Sequence, residues 1–188
     1  MTLPSTPSLR PPSGYEGLVE HQVDALWRFA LSLTRDPVDA EDLLQETLLK
    51  GLQAFASFEQ GTNFRAWMFS IEMNAFRNRY RKRQREQPVP LDEVPELAVP
   101  GGDVFDLILK EEVLAAVAAL PEAFRTAVAL VDLEGFSYRE AAQVLACPAG
   151  TLMSRLNRGR SLLKLSLAGL ARERGLLARP QGGAHELP

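Results

Sequence analysis

Thr151, Ser154, Arg155 and Arg158 recur at i, i+3, i+4 and i+7, so on an α-helix they share one face. Arginine pairs with guanine edges or phosphates, and short hydroxyl side chains let a helix approach closely. The face is therefore fitted to a DNA major groove. Such chemistry is recognition, not catalysis. Leu152, Leu156 and Leu163 fall on another side of the same helix and would pack. The pattern also describes a solvated face of a helical bundle, and its setting decides between the two.

That setting is the stretch Glu134–Arg160, EGFSYREAAQVLACPAGTLMSRLNRGR. Ser137 and Glu140 stand in a Ser-x-x-Glu capping box that fixes the start of a first helix. The break Ala146-Cys147-Pro148-Ala149 has room only for a tight turn, and Pro148 suits the first turn of a second helix. A capped scaffold helix, a short turn and a basic helix together favour a helix-turn-helix. Ala146 departs from the ideal, because glycine is common in such a turn. Met153, among the hydroxyls and arginines, is no phosphate ligand.

The chain has 188 residues and a formal net charge of −3, which argues against a protein that coats nucleic acid indiscriminately. Its charges are segregated. Residues 15–60 carry three Lys or Arg against nine Asp or Glu, and residues 61–88 seven against two. Residues 89–112 reverse to one against seven, and residues 150–188 return to seven against two. Two separate nucleic-acid contacts fit this better than one continuous footprint. The lone cysteine, Cys147, excludes a disulfide within the chain and a Cys-rich zinc site, and it reads as structural. His21 and His185 are too few and too far apart for a metal or catalytic cluster, and no cofactor is expected. No apolar run approaches the ~18 residues of a membrane span, and the Pro- and Ser-rich N-terminus lacks a signal-peptide core. A cytoplasmic protein without membrane insertion is expected.

Apolar spacing predicts a first helix from Tyr15 to Arg35. Asp36-Pro37 then caps and opens a second, continuing to about Phe55. Ala40, Leu43, Leu44, Thr47, Leu48 and Leu52 form its packing stripe, while Asp42, Gln45, Glu46 and Leu49 form a separate acidic face. Such a face is either solvated or a dock for a basic partner surface. The loop Phe58–Asn63 leads to a third helix, on which Phe64, Trp67, Met68, Ile71 and Ala75 make one stripe and Asn74, Arg77, Asn78, Arg81 and Arg85 another. Arginines and asparagines beside aromatic rings suit single-stranded or unwinding DNA. Trp67 reads first as core, with any DNA role limited to shaping a pocket. Further on, Phe105 to Leu120 and Pro121 to Asp132 read as helices preceding the helix-turn-helix, with no strand pattern anywhere. The chain has room for two modest cores rather than one large one.

Taken together, the sequence resembles the extracytoplasmic-function sigma factors, the smallest group of the sigma-70 family of bacterial transcription initiation factors. The resemblance covers about Leu26–Arg85 and Val113–Leu163. It rests on RDPVDAEDLLQETLLKGLQAFASF, GTNFRAWMFSIEMNAFRNRYRKRQR, ALPEAFRTAVALVDLEGFSYREAAQVL and PAGTLMSRLNRGR, four blocks in the right order. It implies an all-α chain of two small helical domains joined by a flexible linker. The expected layout is an N-terminal arm (1–14), a region 2 domain (15–87), an acidic Pro-rich linker (88–104), a region 4 domain with the helix-turn-helix (105–173) and a flexible tail (174–188).

The resemblance also implies roles. Asp39, Asp42, Gln45, Glu46 and Leu49 would dock on the β′ clamp helices of RNA polymerase core, with the β subunit as a further contact. Phe58, Asn63, Trp67, Asn74, Arg77, Asn78 and Arg81 would recognise and open the minus-ten element, one base being flipped into a pocket. Thr151, Ser154, Arg155 and Arg158 would read the minus-thirty-five element. The linker would thread through the polymerase channel. Gly-Thr-Asn before Arg-Ala-Trp, the run RYRKRQR and Met-Ser-Arg-Leu-x-Arg-Gly-Arg look most like the thiol-oxidative-stress branch, whose members are held by a zinc-containing, redox-sensitive anti-sigma factor. The general-stress branch shares FSYREAA-like and SRLNR-like blocks, and Glu72 stands where apolar or basic residues are usual. A free-standing helix-turn-helix regulator would explain Glu134–Arg160 alone. An RNA-binding adaptor would explain only Arg77–Arg85. An enzyme lacks a nucleophile–base set, a metal cluster or a phosphate-binding loop.

Overall fold

The computed structural model describes residues 14–86 and 110–173, and among them every regular element is helical. The expected linker and C-terminal tail, and the arm up to residue 13, lie outside the described residues. Instead of one helix from Tyr15 to Arg35 there are two, α1 (Tyr15–Glu20) and α2 (Val23–Thr34). The turn at His21 and Gln22 re-aims α1, so that Tyr15 is buried edge-on against Phe55 and Phe64 and its hydroxyl donates to the Leu48 carbonyl at 2.8 Å. Burial there pushes the phenol up to about 12. Periodicity recorded the apolar positions but not this change of axis.

Helix α3 (Pro37–Ala54) begins as its capping residues require, with Asp36 accepting from the amides of Val38 and Asp39 at 2.9 and 3.0 Å. A 3₁₀ turn, Phe55–Ser57, closes it before Phe55 and leads into the loop. Helix α4 (Phe64–Glu86) is capped by Asn63, whose side-chain oxygen accepts from the Ala66 amide at 3.0 Å.

The second domain contains α5 (Lys110–Ala119), α6 (Glu122–Val128), a π-helical turn (Ala129–Leu133), α7 (Tyr138–Val144) and α8 (Ala149–Glu173). The helix expected from Pro121 to Asp132 therefore ends early. Its last turn widens, Glu134 N–H bonding the Ala129 carbonyl at 2.9 Å. Pro148 precedes α8 rather than opening it, and its carbonyl accepts from the Leu152 amide at 3.1 Å. Residues 105–109 of the expected first helix lie outside the described residues.

The packing departs from two separate cores. One cluster runs from Leu26, Phe29, Leu43, Met68 and Phe69 through to Leu130, Phe136, Leu145 and Leu152, so the N-terminal core continues into the second domain. A smaller cluster, with Val117, Leu120, Leu156, Leu163 and Leu167, belongs to the second domain alone. Phe69 of α4 and Phe136 after the π turn meet edge to face with centroids 4.9 Å apart, a pairing worth about 0.5–1.5 kcal/mol beyond area burial. An apolar stripe announces that a face is covered; it does not say by which neighbour.

Candidate nucleic-acid interface

The helix-turn-helix forms as its local signals dictate. Ser137 Oγ accepts from the Glu140 amide at 3.3 Å, and Glu140 accepts from the Ser137 amide at 3.0 Å, closing the capping box. The Ser137 hydroxyl and amide hold the Glu140 carboxyl below its ordinary range. At the other end of α7 the Cys147 amide donates to the Ala142 carbonyl and the Ala146 amide to the Gln143 carbonyl, both at 3.0 Å, with Ala146 at φ 46°. This is a Schellman termination in which alanine occupies the left-handed position usually given to glycine. Cys147 is half-buried against the core.

Helix α8 buries Leu152, Leu156 and Leu163, leaves Ser154 and Arg158 exposed, and leaves Thr151 and Arg155 half-buried. All four sequence-predicted groups thus share one accessible side. Its seat is fixed on the far side by Gly159, where a Cβ would stand 2.8 Å from Val128 Cγ2 and 3.3 Å from the Phe124 carbonyl. Arg160 adds a two-pronged bond to Asp132 at 2.6 and 3.1 Å, which raises the guanidinium pKa. The helix is clamped to the π turn and α6 while its basic face points away.

The minus-ten candidates do not share one environment. Asn74 and Asn78 are exposed, Trp67 and Phe58 are half-buried, and the Arg81 side chain lies outside the described residues. Trp67 packs against Phe58 and Phe64, centroids 5.0 and 5.6 Å away. An open pocket of about 510 Å³ lies beside those two rings, lined by Phe55, Phe58 and Phe64 with Gln60 and Thr62; Trp67 is not among its lining residues. Asn63 and Arg77, however, engage the second domain: Asn63 Nδ2 donates to Glu140 Oε1 at 2.5 Å, and Arg77 donates to the Leu145 carbonyl at 2.6 Å.

On α3, Asp42, Gln45 and Leu49 are exposed, Asp39 and Glu46 half-buried. Arg79 of α4, which the sequence reading did not single out, reaches across to Glu46 Oε2 at 2.7 Å and to the Asp42 carbonyl at 3.1 Å. Burial alone would raise the Glu46 carboxyl, but donation from Lys50 and Arg79 outweighs it and holds the group low. Val38, 71% exposed, extends the apolar part of this face beyond Leu49.

Sequence reasoning also missed the residues between the domains. Glu134 has a side chain only 2% exposed and accepts from Arg28 of α2 through two bonds at 3.0 Å, and from Arg65 of α4 at 2.9 Å. The Arg65 guanidinium lies 4.4 Å from the Phe136 ring centroid. Gly135, at φ 71°, lets the chain reverse between these two anchors. Arg125, 2% exposed, donates to Leu120 and, across the same seam, to Leu33 at the C-terminus of α2, at 2.7 and 3.2 Å. Burial lowers it to about 10, so it remains a cation placed against a helix C-terminus. Glu72 is fully buried with neither oxygen hydrogen-bonded; burial, then the charge of Glu134, raises its carboxyl well above the ordinary value.

Residues 18–86 match the family model for Sigma-70 region 2, and residues 110–163 match that for Sigma-70, region 4. The ECF RNA polymerase sigma factor EcfG of Rhodopseudomonas palustris is 42% identical over 146 residues, 77% of this chain and 80% of that one. The chain belongs to the extracytoplasmic-function sigma factors. Members of this family are DNA-binding transcription initiation factors rather than enzymes. The family's SigE of Mycolicibacterium smegmatis is 37% identical over 159 residues, 82% of this chain but 62% of that longer one. Among solved structures, the sigma factor RpoE of Bartonella quintana, crystallised with the anti-sigma factor NepR, superposes with a TM-score of 0.68 at 34% identity, covering 84% of this chain and 98% of that one. Among the described residues no helix is long and apolar enough to cross a membrane, and no group of His, Cys, Asp and Glu could hold a metal ion.

Proposed function

We propose that this sigma factor joins RNA polymerase core in the cytoplasm through the acidic face of α3, reads a minus-thirty-five element with α8, and recognises and opens a minus-ten element with the loop Phe58–Asn63 and α4. The observation carrying this reading is the face Thr151, Ser154, Arg155 and Arg158, accessible on a helix clamped on its opposite side by Leu152, Leu156 and Gly159. Asp42, Gln45, Glu46 and Leu49, with Asp39 and the newly visible Val38, supply the polymerase-docking surface for the β′ clamp helices; the β subunit is the further contact. Phe58 and Trp67 beside the aromatic pocket suit an extruded base, and flipping one costs a few kcal/mol, so opening draws on binding energy from both domains and from polymerase. Asn74, Arg77, Asn78 and Arg81 track the strand.

Substituting Arg155 and Arg158 with alanine removes contacts of about 1–3 kcal/mol each. The expected result is a loss of upstream-element binding of at least an order of magnitude with polymerase association intact. Asp42→Ala with Glu46→Ala gives the converse. In vitro transcription with sigma-free core polymerase and fragmented genomic DNA tests the whole reading: discrete factor-dependent starts sharing two spaced motifs support it. DNA binding without such starts would instead favour a free-standing regulator.

An anti-sigma factor is the proposed inhibitor, supported by the complex of the Bartonella quintana relative. The finer placement in the thiol-oxidative-stress branch rests on Gly61-Thr62-Asn63, the RYRKRQR run and the Met153–Arg160 motif. It requires the inhibitor to carry zinc and the reactive thiols, leaving Cys147 structural. Zinc analysis of the co-purified complex decides it, and a zinc-free inhibitor removes that branch.

A further inference from the structure

The acidic face of α3 is met by cations of this same chain. Asp42 and Glu46 stand one helical turn apart, a spacing at which like charges repel. The Arg79 guanidinium, arriving from α4, is set between them. Its Nε donates to Glu46 Oε2 at 2.7 Å, one terminal nitrogen donates to the Asp42 carbonyl at 3.1 Å, and the other stands 3.8 Å from Asp42 Oδ2. Lys50 Nζ takes the second Glu46 oxygen at 2.7 Å. Glu46 is thus engaged through both oxygens with its side chain 29% exposed, while Asp42 stands further out, its side chain 61% exposed. The planar fork of arginine suits a span over two residues; the point charge of a lysine does not.

We propose that Arg79 is a positioning residue for polymerase docking: acting through Glu46 and Asp42, it holds the acids of α3 in one arrangement before the partner arrives. The proposal rests on the reading above of that face as the dock. An ion pair as exposed as this one adds little to folding. Binding is where a preset arrangement counts, since side chains ordered beforehand need not be ordered on contact. The sign of the effect separates positioning from charge. An acidic face docks a basic surface, and removing a cation from it strengthens the long-range attraction. Acting by its charge alone, Arg79 would weaken docking, and its loss would tighten it. Acting as a brace, Arg79 supports docking, and its loss weakens it.

The test measures the affinity of the full chain for sigma-free core polymerase without DNA, so that no phosphate contact enters. Arg79→Met keeps an extended side chain and removes the fork. It is expected to weaken docking roughly tenfold, within the range of coupling between residues of one ion-pair network, with the urea unfolding midpoint unchanged. Glu46→Ala is expected to weaken docking as well. Combining the two substitutions should lose clearly less than the product of the single losses, because one residue acts through the other. The Glu46 carboxyl gives a readout apart from polymerase: followed by carbon-13 NMR, it should titrate below its ordinary range in the parent and higher once Arg79 is gone. Four results overturn the positioning role while Asp42→Ala still weakens docking: unchanged or tighter docking by Arg79→Met, fully multiplicative losses, a Glu46 titration untouched by Arg79→Met, or affinity that falls only in step with the unfolding midpoint. Asp42→Ala without effect on docking removes the reading of α3 as the dock, and the proposal with it.

Discussion

The two candidate DNA surfaces are built in opposite ways. On α8 the readers stand on one accessible side of a helix whose other side is locked, and none of them enters the seam between the domains. On α4 and its preceding loop the readers are divided: Asn74 and Asn78 face outward while Asn63 and Arg77 are held by the second domain. A surface that reads duplex DNA by docking can be finished in the free protein. On α4 and its loop, by contrast, Asn63 and Arg77 already have partners within the protein, so any DNA contact by them requires exchanging those bonds.

The sharpest way to break that contrast is Arg125→Met. Methionine retains much of the volume but leaves the Leu120 and Leu33 carbonyls without their donor in a site 2% exposed. Hydrogen bonds to a charged group are worth about 1.5–3 kcal/mol each, and relief of the buried cation's desolvation offsets part of the two that are lost, so a loss of about 2–4 kcal/mol is expected in equilibrium urea unfolding. Because Leu33 belongs to the first domain, both domains should respond. Arg158→Ala, on the accessible face, should leave stability within about 0.5 kcal/mol. Equal losses from the two substitutions would erase the distinction between seam and reading face.

Gly159→Ala tests the clamp behind α8. An added methyl would stand 2.8 Å from Val128 Cγ2, too close to be absorbed without moving α8 against α6. Overpacking of this kind costs about 1–3 kcal/mol, here confined to the second domain. Upstream-element binding should fall with it although no DNA-facing side chain changes, and binding assays with the refolded variant check this. Undiminished binding would mean that the orientation of α8 is not set by this contact.

These two substitutions also mark where the sequence was legible. The capping box, the Asp36 cap, the buried leucines of α8 and its polar face all follow from spacings of a few residues, and each is found in the structure. The seam follows no such spacing. Glu134 meets Arg28 across 106 positions and Arg65 across 69, so no window of a helix or turn contains the pair. The break between α1 and α2 was hidden for a related reason: apolar residues keep helical spacing on both sides while the axis turns to insert Tyr15. The one local hint of the seam was Glu72, an acid standing among Phe69, Ile71, Met73 and Ala75 on a helix otherwise rich in arginine.

Glu72→Leu sharpens the comparison from the other direction. Removing a buried carboxyl with no hydrogen bond should stabilise the folded chain by about 1–2 kcal/mol. The gain must depend on pH. The folded-state pKa of Glu72 is raised above its ordinary 4.5, so the parent's stability from this group is complete below that value and is lost as pH rises through the raised one. The difference between variant and parent therefore grows over that window. Glu46 and Glu140 are shifted the opposite way, so they lose stability as pH falls, but they are common to both proteins and cancel in the difference. A difference that stays flat with pH would mean that Glu72 has access to water in the folded chain.

The smallest expected effect concerns the turn before α8. Ala146 sits at φ 46°, where a Cβ crowds the backbone at a cost of about 1–2 kcal/mol. Ala146→Gly removes that cost, but glycine gains freedom in the unfolded chain and returns about 0.4–1 kcal/mol of it. Relief of the strain outweighs the added freedom, so a net gain of about 0.5 kcal/mol is expected in urea unfolding, with the bonds Ala146 to Gln143 and Cys147 to Ala142 preserved. The same exchange tests whether the turn contributes to reading DNA. If the angle between α7 and α8 is held by the buried faces, upstream-element affinity stays unchanged as stability rises. If affinity falls despite the gain, alanine at this position is there to stiffen the turn, and the recognition face owes its orientation to the backbone as well as to the core beneath it.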